Sequence, residues 1–159
     1  SMVADAKLSP RSLKYREYFQ SLIDDLRDSH SFTNARIGQP QSYYFFASGH
    51  TDIGYGASFV QGDKITVQVY IDRGTEWNKN LFDELLALKS DIESELGGSL
   101  VWERLDHAQA SRIALYQPGS IMDDGAKLSS FKSWMIDNLL NFKKVFGPRL
   151  VDLVPRIEG

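Results

Sequence analysis

The run from Lys64 to Gly74, KITVQVYIDRG, restricts the fold more than any other stretch of the chain. Ile65, Val67, Val69 and Ile71 alternate with Thr66, Gln68, Tyr70 and Asp72. A period of two places these sets on opposite faces of an extended strand. The β-branched set belongs against a core, and the polar set faces the other way. Neighbouring segments extend the sheet. YYFFAS (Tyr43 to Ser48) reads as an aromatic strand, GHTDIG as a turn and YGASFVQ as a second strand. Gly62-Asp63 is a tight hairpin signal into the third strand. Three strands joined by short turns predict an antiparallel meander.

Helical periods flank the meander. From Ser9 to His30, apolar residues recur at Tyr15, Phe19, Leu22, Ile23 and Leu26, with Ser9-Pro10 as N-cap and first turn. The polar stretch SFTNARIGQPQS contains Pro40 and reads as a loop. After Gly74, Thr75 is placed to cap a helix carrying Leu81, Leu85, Leu88, Ile92 and Leu96, which Gly97-Gly98 ends. SLVWERL and SRIALYQ are the fourth and fifth strands, DHAQAS a hairpin connection and PGSIMDDGAK a loop. The last helix is predicted from Leu128 to Phe146, with Leu128, Phe131, Met135, Leu139 and Phe142 on one side and Pro148 as its stop.

The order is therefore α-βββ-α-ββ-α: a single α/β domain over residues 9–150, with helices packed on a mixed sheet. The helix before the fourth strand permits a parallel crossover. Strand five is expected at a sheet edge, and Trp134 lies one step off the apolar stripe of the last helix. Residues 1–8 and 151–159 read as flexible or vector-derived ends; Ser1-Met2 resembles a tag-removal scar, and LVPRIEG reads equally as joined protease-site linkers or as native sequence.

Composition narrows the chemistry. The 159 residues contain no cysteine, which removes disulfides and thiolate catalysis and makes a cytoplasmic setting the default. No apolar run approaches the roughly 20 residues of a membrane span. The net charge of −3 argues against a wholly basic surface and leaves room for a local basic patch. His30, His50 and His107 fall in separate loops without ligand spacing. There is no G-x-S-x-G elbow, and GHTDIGYG lacks the lysine and spacing of a phosphate-binding loop.

The segments FTNARIGQPQSYYFFASG, YGASFVQGDKITVQVYIDRG, NKNLFDELLALKSDIESELG, LVWERLD, SRIALYQPGSI and WMIDNLLNFKKVFGPRL occur in this order with short gaps. Together, from about Tyr15 to Leu150, they resemble the bacterial family called domain of unknown function 4268. That family carries no established activity and no catalytic residues to transfer. Its members occur alone or as the C-terminal part of longer chains, some with nuclease-like N-terminal parts. The resemblance implies a DNA-processing or phage-defence context.

Three functions follow as expectations. The first in rank is a non-catalytic accessory domain that binds DNA, RNA, or a nuclease or other defence protein. Tyr43, Tyr44, Tyr55, Tyr70 and Tyr116 sit on strands with Lys64, Arg73 and Arg112 near strand ends, and Lys143, Lys144 and Arg149 lie on or just past the last helix. Of these, Tyr70, Arg73, Arg112, Lys143, Lys144 and Arg149 are the candidate nucleic-acid contacts. Strand aromatics are more often core, and Lys143-Lys144 also suits a helix C-terminus without a ligand. The second is a Mg²⁺-dependent nuclease, because the α-βββ-α-β order resembles the restriction-endonuclease core. Asp52, Gln68, Asp72 and Glu84 are its candidate residues. However, Gln68-Val69-Tyr70 stands where an acid-x-Lys triplet would hold metal and water, so no cofactor is expected unless this alternative holds. The third is homodimerisation through an edge strand or the last helix. Asp72-Arg73 reads as an ion pair, a helix cap or a ligand contact.

Overall fold

The computed structural model describes residues 7–158; Ser1-Met2 and the rest of residues 1–6, with residue 159, lie outside the described residues. Helix α1 (Pro10–Asp28) starts where expected, with Ser9 Oγ accepting the Ser12 N–H at 3.0 Å. It buries Tyr15, Phe19, Leu22, Ile23 and Leu26, and also Tyr18. The loop that follows is strapped back onto α1. Gln20 bonds the Arg36 carbonyl and the Gly38 N–H, and Arg27 bonds the Ala35 carbonyl. These contacts carry Phe32 into the core against Phe46 and Tyr55.

Strands β1 (Tyr43–Ala47), β2 (Ile53–Val60) and β3 (Lys64–Ile71) form the expected meander. Gly62 and Asp63 both take positive φ in the β2–β3 turn. Helix α2 (Thr75–Leu86) and helix α3 (Lys89–Leu96) follow, then β4 (Val101–Glu103), β5 (Ser111–Pro118) and α4 (Gly125–Glu158). The sheet order is β1-β2-β3-β5-β4, and every pairing is antiparallel.

Several expectations are corrected. The sheet is not mixed, because α2 and α3 return the chain to lay β5 antiparallel beside β3, with Ile71 opposite Ser111. The single connecting helix is two, broken at Ala87-Leu88 without proline or glycine. Thr75 is not its cap. Gly74 holds that position, and Asn78 Oδ1 reaches back to the Arg73 and Gly74 N–H groups at 2.8 and 3.2 Å. The fourth strand has three residues, and strand five is interior, so β1 and β4 are the edges. Trp134 packs partly buried against the core.

Pro148 does not stop the last helix, which runs through Pro148 and Pro155 to Glu158. A proline inside a helix costs about 3 kcal/mol. Beyond it Leu150, Leu153 and Val154 are buried, and each such side chain returns about 1.5–3 kcal/mol. The segment read from sequence as a flexible end is therefore a packed part of the helical layer. Ion pairs fasten it: Arg149 to Glu95 at 2.7 Å, Arg156 to Glu84 at 3.5 Å, and Glu158 to Arg73.

All four helices lie on one face of the sheet. Ile65, Val67, Val69 and Ile71 of β3 are fully buried there with Leu22, Phe82, Met135 and Leu139 from the helices. No helix among the described residues covers the other face. Among the described residues no helix is long and apolar enough to cross a membrane.

Candidate functional site

Register fixes what the bare face presents. Strand alternation and pairing set three rows across it. The first is Tyr43, Ser58, Thr66 and Tyr116. The second is Phe45, Gly56, Gln68, Ala114 and Val101. The third is Ala47, Gly54, Tyr70, Arg112 and Glu103. In the second row the small residues Gly56 and Ala114 sit on either side of Gln68.

Gly56 is glycine for space. A Cβ there would fall 2.5 Å from Phe45 Cε1 and 3.2 Å from Gln68 Cγ. With that atom missing, the Phe45 ring lies down across β2 and reaches Tyr70. The ring centroids of Tyr43 and Phe45 are 5.5 Å apart, and those of Phe45 and Tyr70 are 5.0 Å apart. Tyr43 is 42% exposed and Phe45 39% exposed. Three aromatic rings thus form a continuous row on the solvent side, instead of entering the core as strand aromatics usually do.

Beside this row is a groove of about 590 Å³, lined by Lys64, Thr66, Gln68, Arg112 and Tyr116 with Glu103 and Val101. Glu103 Oε2 accepts from Arg112 Nε at 3.0 Å and from the Tyr116 hydroxyl at 2.6 Å. The carboxylate orients the guanidinium and offsets its charge. Burial, then the Glu103 hydrogen bond, pushes the Tyr116 hydroxyl up to about 12, so it stays a neutral donor. Burial also raises Tyr70, with the nearby Asp72 charge adding to it. Gln68 forms the floor. It is 4% exposed, and its Oε1 is sealed from solvent without a hydrogen-bond partner.

The sequence candidates divide. Tyr70 and Arg112 stand opposite one another in one row of the bare face. Asp52 and Asp72 converge in a separate hollow of about 460 Å³ with His50, Phe45 and Tyr70. Gln68 does not line that hollow, and Glu84 sits on α2, bound to Arg156. Asp72 Oδ1 accepts from Gln109 Nε2 at 2.7 Å. Among the described residues no three His, Cys, Asp or Glu side chains are grouped to hold a metal ion. The four candidates are therefore split, with Asp52 and Asp72 in one hollow and Gln68 and Glu84 elsewhere.

Of the basic candidates outside the bare face, Arg73, Lys143 and Arg149 make contacts elsewhere, and Lys144 is exposed on α4. The Arg73 guanidinium lies 4.0 Å from the centroid of the Trp77 ring and bonds the Thr51 carbonyl as well as Glu158. Asp72-Arg73 is thus neither an ion pair nor the helix cap. Lys143 Nζ lies 5.2 Å over the Phe32 ring in the helical layer. Arg149 holds Glu95, and with Lys144 nearby it keeps the Glu95 carboxyl below its usual range.

Sequence reasoning missed Phe45, Gly56 and Glu103. Their signal was positional: Phe45 is two residues from Tyr43, and Gly56 falls inside a strand, where glycine marks close approach.

Comparison with known proteins places the chain. A family model described as domain of unknown function (DUF4268) matches residues 14–150. The chain belongs to that family. No curated protein and no solved structure matches it significantly.

Proposed function

We propose that this domain of the DUF4268 family binds single-stranded nucleic acid on the bare face of its sheet, as an accessory module without chemistry of its own. The row Tyr43–Phe45–Tyr70, with the first two rings exposed, the third half-buried and all in ring-to-ring contact, carries the reading. Every base has a π-face, and stacking on an aromatic side chain is worth about 1–3 kcal/mol per base. Lys64 and Arg112 lie on the same face, six residues apart in register along the strands, or about 20 Å, where phosphates of an extended strand would run. The acidic chain as a whole disfavours broad duplex contact and suits a short, stacking-dominated one. A role in DNA processing or phage defence, and a restriction-endonuclease-like ancestry suggested by element order, belong to the same proposal. Within it, the domain is a nuclease-like scaffold without the metal-binding acids.

A second reading is protein docking, favoured by Val60 and Val101. Both are exposed on the bare face, and both are aliphatic where a nucleic-acid surface would carry cations. Fluorescence anisotropy with labelled single and double strands at two salt concentrations separates the two. Single-strand binding that Phe45→Ala or Tyr70→Ala weakens by about tenfold or more supports the first reading. No binding to any strand overturns it and moves the weight to a protein partner or a second copy.

A further inference from the structure

We infer that Gln68 is the base-reading residue of this face: its buried amide oxygen is held unpaired in the free protein to accept an N–H from an unpaired base. The inference rests on the single-strand reading above. Buried polar atoms are nearly always paired, and an unpaired acceptor destabilises the fold that contains it. Here the neighbours withhold partners. The residues beside Gln68 on the adjacent strands are Gly56 and Ala114, which have no side-chain donor. On its own strand, the Thr66 hydroxyl donates to the Val67 carbonyl. A leucine or methionine would fill the position without an orphaned oxygen.

Among the described residues two other buried side-chain atoms lack partners, Tyr55 Oη and Trp77 Nε1. Tyr55 faces the helices, and Trp77 is on α2 beneath Arg73. Gln68 alone of the three lies on the face with the ring row, the groove and the two cations. The Phe45 ring and Gln68 Cγ crowd the same space above Gly56. Phe45 stands on an edge strand and is partly exposed, so its ring can swing without disturbing the core. A base stacked against Phe45 and Tyr70 would bring its donor edge to Gln68, while Arg112 meets the flanking phosphate. Adenine and cytosine offer an exocyclic amino group and thymine a ring N–H at a different place on its edge, so only a base whose donor reaches the buried oxygen satisfies it, and the others leave it unpaired.

Gln68→Met keeps the length of the side chain and deletes the acceptor. Two readouts test it. The thermal midpoint of the free protein should rise by about 2–4 °C. Wild-type protein should bind short homopolymeric strands of deoxyadenosine, deoxycytidine and thymidine with affinities spread over about tenfold or more, and Gln68→Met should compress that spread to about threefold or less. A lower midpoint in Gln68→Met shows that the acceptor is already satisfied and overturns the inference. So does binding in which the spread survives the substitution, or in which wild type shows none; either outcome leaves the stacking platform intact. Absence of binding to every strand overturns the single-strand reading and this inference with it.

Discussion

The two faces of β3 belong to one strand and obey different rules. On one, Ile65, Val67, Val69 and Ile71 are closed over by helices, and each methyl group contributes to stability. On the other, Thr66, Gln68 and Tyr70 are covered only by neighbouring strand side chains, and one of them keeps an oxygen unpaired. The first face is solved for packing. The second tolerates an unpaired buried atom beside exposed rings.

The widest separation between the faces comes from neighbouring residues. Ile71→Ala should cost about 2–5 kcal/mol, read as a large fall in urea midpoint. Tyr70→Ala, one residue away, should cost well under half of that and should instead reduce oligonucleotide binding. Equal losses of stability would show that the bare face is a second core.

Lys79→Met should come next in size. Lys79 is 7% exposed, and its Nζ donates to the carbonyls of Arg104, Leu105, Gln109 and Ala110 and to Ser111 Oγ. Desolvation lowers its pKa, followed by the like charge of Arg104. Removing the ammonium orphans several carbonyls and frees the β4–β5 connection. Amide exchange over residues 104–110 should quicken and the thermal midpoint should fall, while Tyr43, Phe45 and Tyr70 still bind. Unchanged exchange in that segment would remove Lys79 as its clamp.

Gly56→Ala sharpens the comparison from the other side. The added methyl lifts the Phe45 ring from β2. Binding should weaken about as much as in Phe45→Ala, with a stability change below about 1 kcal/mol, because a flexible edge side chain gives way. Loss of the fold would place Gly56 in the core instead.

The smallest effect is electrostatic. Glu93 lies below its ordinary value of 4.5, first through the Leu100 N–H and then through the Trp102 indole N–H. The folded chain therefore releases this proton more readily than the unfolded chain. The resulting stabilisation is present above about pH 4.5 and fades as pH falls through that value and below it. Glu93→Gln should flatten the acid limb of the stability profile slightly. An unchanged limb would assign it to other carboxylates, such as Glu95 and Asp83, which their arginine partners also hold low.

Sequence alone showed that β3 has two faces, because a period of two is local. That its β-branched face meets the core was legible too; the sheet order was not, because it depends on where α2 and α3 return the chain. The aromatics misled for the same reason: Tyr43 and Phe45 match Tyr44 and Phe46 in composition, and only register sends the first pair outward. Pro148 misled because local cost was weighed without the burial of Leu150, Leu153 and Val154 beyond it. Position in sequence also carries no partners, so the ion pairs of Arg73 with Glu158 and of Arg149 with Glu95 were not legible.

The division of labour across the sheet also bears on how such a chain can change over time. Substitutions at Tyr43, Phe45, Thr66, Gln68 or Tyr116 touch little that the helices depend on. Side chains of the bare face can therefore change in single steps, each leaving a folded intermediate. That face is free to drift while the scaffold beneath it stays under packing constraint.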